Sequence, residues 1–449
     1  MQTLTTRSIV HVTRYGRRAA SALAALATLS ACAPPREAPG PAPAPAPPGA
    51  PARPEAPAGA RIEPEVTIAL LVDTTRVELG APSGLELFEM TTGQLLGRTQ
   101  GGQRYTVTSD PAGTLLIAPP AGGAAGWEAR GTLVARSRGA EPVQINGQLY
   151  RGSVQVRSPR PGRLTVVNAV RMEDYLMGVV PREIGQLSPG MIEAAKAQAV
   201  AARTYSVARK ERRVGLGFNF YADERDQVYG GVRAENEEVN RAVRETAGEI
   251  LVYRGTPIDA YYHSTCAGQT AAIEEVWNER PRPYLSSVVD VNSSTGQAWD
   301  HTSSRFRWTT RWTGAQMTEI LNRTLADSLP AGRRTIGTLR DMRVLDRTPS
   351  GRVRTMRIET SAGNFAVGRD RVRWILLTPE GRILNSSKFD VRVVRNASGT
   401  VTEVVAEGGG WGHGIGMCQV GARNRALAGQ DYRQILLTYY VGAEIQDLY

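Results

Sequence analysis

Residues 191–212 read MIEAAKAQAVAARTYSVARKER. The stretch has no glycine or proline, and its many alanines favour a slim helix that can lie close to another backbone. Lys196 and Arg203 are seven residues apart, so they share one helix face about two turns apart, as do Gln198 and Tyr205. On a helix otherwise suited to burial, these polar side chains form either a solvated face or part of a functional site.

The chain before this helix is typical of a β-rich structure. Short candidate strands, separated by glycine and proline, are Val66–Val72, Tyr105–Thr108, Gly113–Ile117, Ser153–Val156 and Leu164–Val167. Short strands that repeat with turn signals predict a β-rich part at residues 66–160. Ser188 and Pro189 then predict the start of the alanine-rich helix, as capping residue and first-turn residue.

The remainder mixes helices and strands. We predict helices at Asn236–Thr246, Gly314–Thr324 and Gln419–Ala428, with a further element at Tyr432–Tyr440, and strands at Glu249–Tyr253, Ile258–Tyr262, Met342–Leu345 and Val353–Ile358. The predicted fold is α+β, with a β-rich core, a long alanine-rich helix and an inserted mixed subdomain at about residues 300–400. The folded part is expected to cover residues 66–449.

The amino-terminal residues are typical of an export signal. Four arginines precede the apolar stretch Ala19–Leu29, which is shorter than the ~20 apolar residues of a membrane-spanning helix. The sequence Leu29-Ser30-Ala31-Cys32 resembles the lipobox of bacterial lipoproteins, which predicts a signal peptide at 1–31 and a lipid on Cys32. An ordinary signal peptide with an incidental cysteine is the alternative.

Residues 32–65 are expected to tether the folded part to the membrane, because a chain of mostly Ala, Pro and Gly has little to bury. The net charge is +11, or +7 without the four leader arginines, and it is scattered along the chain. We expect an anionic partner such as the cell wall, and no nucleic acid, since no nucleic-acid motif is present. Residues 33 and 34 are Ala and Pro rather than acidic, which favours the outer membrane where the cell has one.

Four motifs stand in order along the chain. They are Met172–Ile184 (MEDYLMGVVPREI), Glu193–Tyr205 (EAAKAQAVAARTY), Ala260–Gly268 (AYYHSTCAG) and Gly410–Ala422 (GWGHGIGMCQVGA). Together they resemble the SpoIID/LytB family, the stage II sporulation protein D family, over about residues 66–449. The resemblance implies a peptidoglycan lytic transglycosylase that acts on glycan strands whose stem peptides an amidase has removed. A second branch of the family is described as amidase enhancers.

The resemblance assigns catalysis to Glu183. A glycosidic bond breaks when an acid protonates its leaving oxygen, and the acid must be neutral near pH 7. The apolar residues Val179 and Ile184 around Glu183 favour the raised pKa that this requires. Judged from the residues alone, Glu183 is also compatible with a surface carboxylate. Glu173, Asp174 and Glu193 are interpreted as structural.

The other polar and aromatic residues of the motifs are expected to bind substrate. They are Lys196, Gln198, Arg203, Tyr205, Tyr262, His263, Ser264, Trp411, His413 and Gln419. Sugars stack on aromatic faces, and the glycines near His413 let backbone approach a bulky chain. Each of these residues also has a purely structural interpretation, as core packing or as a hydrogen bond.

Cys266 and Cys418 both lie inside motifs, and three interpretations are open. The favoured one is a disulfide, because two cysteines outside the cytoplasm can pair. A zinc site of His263, Cys266, His413 and Cys418 is a less favoured alternative, and free buried thiols are the third. The transglycosylase chemistry itself requires no cofactor.

Two functions therefore compete. The first is an enzyme that uses Glu183 as both acid and base. The second is a module that binds glycan, or stimulates a cell-wall amidase, without cutting. The presence of Glu183 at the motif position favours the enzyme.

Overall fold

The structure is a computed structural model that describes residues 62–120, 126–329 and 334–449. All described residues belong to one structural unit. The predicted signal peptide, Cys32 and nearly all of the predicted tether lie outside them. Within the described ranges, no helix combines the length and the apolar character that a membrane span requires.

The first part of the described chain is built from strands. They are β1 (Glu65–Thr74), β2 (Arg76–Gly80), β3 (Leu85–Glu89), β4 (Leu95–Arg98), β5 (Arg104–Ser109), β6 (Leu115–Ala118), β7 (Trp127–Ala129), β8 (Leu133–Ser137), β9 (Val143–Ile145), β10 (Gln148–Tyr150), β11 (Ser153–Arg160) and β12 (Arg163–Arg171). One sheet has the order β10-β9-β2-β5-β6-β7. The other has the order β1-β12-β11-β8-β3-β4, and β13 (Phe220–Tyr221) adds a parallel strand beside β1.

The two sheets share an apolar core. Residues of one face of each strand point into it, as the two-residue period of a strand requires. Leu79 of β2, Leu87 of β3 and Val154 of β11 are examples, each at most 1% exposed. This alternation is what makes the region recognisable as β-rich from its sequence.

Three helices form the centre of the molecule: α1 (Met172–Ile184), α2 (Ile192–Arg209) and α3 (Glu237–Glu245). The alanine-rich α2 packs against both of the others, and against the carboxyl-terminal helices and β14 (Glu249–Tyr253). Six of its seven alanines are buried, and they lie around the helix, which is possible because they have so little bulk. Short 3-10 segments follow at Lys210–Leu216 and Gly231–Ala234.

A second core fills the mixed part of the chain. It is preceded by four short elements: β15 (Thr256–Pro257), β16 (Tyr262–His263), α4 (Ile273–Val276) and a 3-10 turn at Pro283–Leu285. The mixed part itself contains β17 (Trp308–Thr313), α5 (Gly314–Thr324), a 3-10 turn at Ala326–Ser328, β18 (Leu339–Arg347), β19 (Val353–Thr360), β20 (Gly363–Gly368), α6 (Arg371–Ile375), β21 (Phe389–Arg395) and β22 (Val401–Gly408). Two three-stranded sheets, β17-β22-β21 and β18-β19-β20, enclose an apolar cluster that includes Trp312 and Met356.

The chain ends with β23 (Met417–Cys418), α7 (Gln419–Leu427), α8 (Tyr432–Tyr439) and β24 (Glu444–Asp447). β24 pairs with β14, and the short β23 runs parallel to β16. The α+β class, the β-rich core and the long alanine-rich helix are thereby confirmed.

Two predicted boundaries are wrong. The alanine-rich helix begins at Ile192 and not at Ser188. Residues 188–191 form a turn instead, because Gly190 has a φ of +88° and the carbonyl of Ser188 accepts the amide of Met191 at 3.1 Å. The predicted strand Ile258–Tyr262 is mostly irregular. The amides of Ala260 and Tyr261 bond to carbonyls two residues back, at 3.0 and 2.8 Å, so this segment curls instead of extending.

Candidate active site

Glu183 lies in the last turn of α1 and is partly exposed in the wall of a groove of about 880 Å³, called here the Glu183 groove. Its Oε1 accepts a hydrogen bond from the backbone amide of Val228 at 2.8 Å. Burial raises the pKa of Glu183 to about 7, and the negative charge of Glu224 adds to the rise. Hydrogen bonds from Val228 and from the Gln419 side chain act in the opposite direction. The carboxyl group is therefore poised to gain and lose a proton near neutral pH.

Close packing brings α1 next to the segment that carries Val228. Gly178 has no side chain, and a Cβ there would lie 2.5 Å from the ring of Tyr229. The carbonyl of Gly178 also accepts the amide of Gly230 at 3.0 Å. A glycine at this position of the first motif is thus required by the approach of two backbones.

The segment around Val228 is fixed by two buried polar side chains. Asp226 pairs with Arg213 at 2.7 Å and accepts the amide of Tyr221 at 2.9 Å. Gln227 donates to Ser206 at 2.9 Å and accepts the hydroxyl of Tyr262 at 2.9 Å. Fixed backbone on this side means that the hydrogen bond to Glu183 has a defined direction.

Gln419 reaches Glu183 from the other side of the site. It is the first residue of α7, and its side-chain nitrogen donates to the side-chain oxygen of Gln198 at 3.2 Å. Gln198 is fully buried, and its own nitrogen has no hydrogen-bond partner within the described structure. Gln198 therefore contacts Gln419 and does not line the groove, so its role is to position Gln419.

The third and fourth motifs are joined by a parallel pairing of β16 and β23, in which Tyr262 faces Met417 and His263 faces Cys418. The glycines before β23 allow this contact. Gly412 has a φ of +102°, and a Cβ there would lie 2.9 Å from the Cβ of His263. A Cβ on Gly414 would meet the guanidinium of the buried Arg352. The glycines thus serve protein packing around the groove.

All six predicted substrate-binding residues of the third and fourth motifs line the Glu183 groove: Tyr262, His263, Ser264, Trp411, His413 and Gln419. The ring of His413 lies 5.2 Å from that of Trp277, and its Nδ1 accepts the amide of Ile415 at 3.0 Å. Burial lowers the pKa of His413 to about 4, so this imidazole is neutral at physiological pH. Trp411 carries Arg305 over one face, at 3.9 Å from the ring centroid.

The structure corrects the expectation for Lys196 and Arg203. Lys196 pairs with Glu193 at 2.9 Å and with Glu245 at 2.8 Å, away from the groove. Arg203 is fully buried and forms two hydrogen bonds with Glu173, at 2.6 and 2.7 Å. Both cations are neutralised by carboxylates that hold helices together, so neither faces a substrate.

Tyr205 also lies outside the Glu183 groove. It lines a neighbouring cavity of about 310 Å³, together with Glu224 and Trp277, which line both cavities. Its hydroxyl donates to Asp226 at 3.3 Å, and only 7% of the residue is exposed. Tyr205 therefore acts mainly through packing.

The two cysteines of the folded part are buried free thiols beside His263. One ligand atom from each of His263, Cys266 and Cys418 lies within 4.8 Å of the other two. The Nε2 atom of His263 is buried and has no hydrogen-bond partner within the described structure, while Nδ1 lies 3.1 Å from the carbonyl of Ile415. An imidazole oriented through Nδ1, with Nε2 unpaired, and two buried thiols are together ligand types that fit a zinc ion. His413 is not part of this cluster.

Several groove residues lie outside the sequence motifs and were missed. They are Glu224, Trp277, Arg369 and Trp374. They come from segments that are distant in the chain and show no distinctive pattern there. The one available signal was weak: Trp374 is a tryptophan among arginines, in the run Arg371–Trp374.

Comparisons with known proteins agree with the motifs. The family model described as SpoIID, Stage II sporulation protein, matches residues 160–253, and a domain of unknown function (DUF8618) matches residues 294–416. An uncharacterised protein of Brachyspira hyodysenteriae is 33% identical over 306 residues, which are 68% of this chain and 74% of that protein.

Two named relatives come from Bacillus. The Stage II sporulation protein D of Bacillus amyloliquefaciens is 32% identical over 330 residues, 70% of this chain and 83% of that protein. The Amidase enhancer of Bacillus subtilis is 30% identical over 298 residues, 60% of this chain but 40% of that longer protein. The match to most of the length of a stage II sporulation protein D, together with three of the four motifs around one groove, shows that this chain belongs to the SpoIID family.

Proposed function

We propose that this chain acts on the cell wall as a lytic transglycosylase, which cleaves the glycan strands of peptidoglycan and leaves 1,6-anhydro ends. The observation that carries the proposal is the setting of Glu183, a carboxyl group with a pKa of about 7 in the wall of an open groove. Relatives named for sporulation and for amidase enhancement support a function at the wall.

The proposed reaction needs one carboxyl group. Neutral Glu183 gives its proton to the oxygen of the glycosidic bond, and the bond to the sugar carbon breaks as positive charge develops there. The C6 hydroxyl of the same sugar attacks that carbon, and ionised Glu183 takes up the hydroxyl proton. The proton returns to its starting atom, and no water is consumed. Attack from within the same sugar supplies the high effective concentration that a water molecule lacks.

The surroundings of Glu183 suit both halves of this reaction. Burial favours the neutral acid, whereas the hydrogen bonds from Val228 and Gln419 support the ionised form. The wall of the groove includes the aromatic residues Tyr262, Trp277 and Trp411, whose rings suit stacking against sugars.

The competing proposal is a glycan-binding amidase enhancer, favoured by the similarity to the Bacillus subtilis protein of that name. One experiment separates the two. The purified protein is incubated with intact and with amidase-treated sacculi, and products are identified by mass spectrometry. The transglycosylase releases anhydro-sugars, and Glu183→Gln lowers their rate by ~10²–10⁴. The enhancer releases none by itself but accelerates an added amidase.

Glu224→Gln is the matched control, because Glu224 is a second carboxylate in the same groove. The proposal expects this variant to keep most of its activity. If Glu224→Gln is inactive while Glu183→Gln still releases anhydro-sugars, the chemistry belongs to Glu224.

We also propose that the protein is exported and anchored at the cell envelope through a lipid on Cys32. The support is the sequence Leu29-Ser30-Ala31-Cys32 after a short apolar stretch. Cys32→Ser is expected to release the protein from membranes or to leave an unprocessed precursor. An unchanged membrane fraction, with no lipid mass on the mature amino terminus, contradicts the anchor.

A zinc ion held by His263, Cys266 and Cys418 is proposed as a structural component beside the groove. Zinc at this position would connect β16 with β23, because His263 lies in β16, Cys266 follows β16 and Cys418 lies in β23. The unpaired Nε2 of His263 supports the proposal, because an unsatisfied buried nitrogen is costly without a partner.

A further inference from the structure

The Glu183 groove does not end at the helical core. It opens into a second cavity of about 940 Å³, called here the Trp374 cavity. The two share Glu224, Arg373, Trp374, Ile383 and Trp411. Most of the second lining comes from residues 305–411, within the part that matches a domain of unknown function.

The inserted part is held firmly against the core at this point. The amide of Asp370 donates to the carbonyl of Val276 at 3.2 Å, and Arg369 donates to the side-chain oxygen of Asn278 at 2.9 Å. Glu275 accepts hydrogen bonds from Ser350. The two cavities therefore form one channel, and its walls are held in place by these hydrogen bonds.

Trp374 presents an open ring to this channel. The residue is 56% exposed, and its indole nitrogen donates to Asp370 at 3.3 Å. Asp370 is in turn bound to Arg373 at 3.0 Å. A large apolar ring that is held by its edge and left uncovered suits stacking against the flat face of a sugar.

The arginines of the Trp374 cavity are paired with carboxylates, with one exception. Among the described residues that line it, five are arginines and two are glutamates. Arg305 stacks on Trp411 and has no carboxylate within ion-pair distance in the described structure. An arginine without a carboxylate partner, beside an aromatic ring, is a ready site for a carboxylate of a ligand.

We propose that the inserted part supplies a second glycan-binding site, in which Trp374 stacks on a sugar of the strand and Arg305 binds a carboxylate that the strand carries. This inference rests on the proposed function, since the ligand is the same acidic polysaccharide that Glu183 cuts. Continuity with the Glu183 groove, an exposed aromatic face and an arginine without a carboxylate partner all point to such a strand.

The test measures binding and needs no turnover. Glycan strands with free carboxylates, and the same strands after chemical amidation of those groups, are titrated into the full-length Glu183→Gln protein. Trp374→Ala is expected to weaken binding of both strands, by roughly tenfold, and Trp374→Phe to restore most of it. Arg305→Gln is expected to weaken only the strand with free carboxylates, by roughly tenfold.

Arg340→Gln is the matched control, because it removes the same charge from an exposed position of the inserted part that lies outside both cavities. Equal binding by Arg305→Gln and Arg340→Gln overturns the carboxylate site, and unchanged binding by Trp374→Ala overturns the sugar site. Either result leaves the release of anhydro-sugars by the unmodified protein as a separate question, so the two proposals fail independently.

Discussion

The side-chain nitrogen of Gln419 lies 3.2 Å from the side-chain oxygen of Gln198 and links the alanine-rich helix to the carboxyl group of Glu183. Gln198 is fully buried and accepts a hydrogen bond from Gln419, which also bonds to Glu183. A polar residue in the second motif is thereby linked to the candidate catalytic carboxyl group without lining the groove itself.

The first prediction concerns this link. Gln198→Leu removes the acceptor that orients Gln419, so we expect turnover to fall about tenfold or more, because small misplacements near the reacting atoms are costly. The nitrogen of Gln198 is already unpaired, so the free energy of unfolding should change by only about 1 kcal/mol. The release of anhydro-sugars and thermal unfolding are measured together. If the variant is strongly destabilised and its loss of activity is explained by the unfolded fraction, Gln198 has only a structural role in the core.

The second prediction uses the two neighbours that act oppositely on Glu183. The first step needs neutral Glu183, so activity should decline as pH rises through about 7. Glu224→Gln removes a negative charge that raises the pKa of Glu183, and should move this decline to lower pH. Gln419→Leu removes a hydrogen bond that lowers the pKa, and should move it to higher pH. The measurement is kcat/KM against pH, and shifts in the same direction for both variants contradict the assignment.

The third prediction follows from linkage. The folded-state pKa of Glu183 is about 7 and its ordinary value is 4.5, so the ionised form is disfavoured by folding. Below pH 4.5 Glu183 is neutral in both the folded and the unfolded state and does not affect stability. The free energy of unfolding then falls as pH rises from 4.5 to 7, because the unfolded state ionises first. Glu183→Gln abolishes the loss and should stabilise the protein by at most about 3 kcal/mol above pH 7. Denaturant unfolding at pH 4.5 and pH 8 is the check: the gain should appear at pH 8 alone.

The fourth prediction contrasts two cations of α2. Arg203→Met removes the fully buried cation that pairs with Glu173 and should cost roughly 3–5 kcal/mol. Lys196→Met breaks pairs nearer the surface and should cost about 0–1 kcal/mol, with activity unchanged. Unfolding free energies and anhydro-sugar release are measured for both. Loss of activity in a stable Lys196→Met protein would indicate that Lys196 binds substrate after all.

The fifth prediction concerns metal. Purified protein should contain about one zinc ion per chain by elemental analysis. Cys418→Ser and Cys266→Ser should lose it, whereas His413→Gln should retain it, because His413 is not in the cluster. A Cys266–Cys418 peptide in non-reducing mass mapping, with no bound metal, selects the disulfide instead.

Local signals in the sequence predicted much of the fold. The helix Gly314–Thr324 was predicted at its observed bounds, and the structure shows the capping box that starts it, between Thr313 and Gln316. The helix α1 was not predicted over its length, because Pro181 inside it interrupts the local pattern. The prediction of a strand at Ile258–Tyr262 was wrong because tertiary contacts override the β-propensity of its β-branched and aromatic residues.

The site was predictable only where the motifs lie. Glu183 and the residues around His413 share one groove, as the motifs suggest. Lys196 and Arg203 have the same motif status but bind internal carboxylates, a distinction that depends on Glu245 and Glu173 in other helices. Glu224 and Trp374 reach the groove through long-range folding, which no local pattern records.

The pairing of β16 with β23 joins segments about 150 residues apart, as the contact between His263 and Ile415 shows. Closing so long a loop is slow compared with forming a helix, because its entropy is lost before the contact is gained. The groove therefore assembles late, after nearly the whole chain has been synthesised. A nascent chain that still lacks β23 carries Glu183 but has no finished groove around it, so under the proposed function topology alone delays cutting.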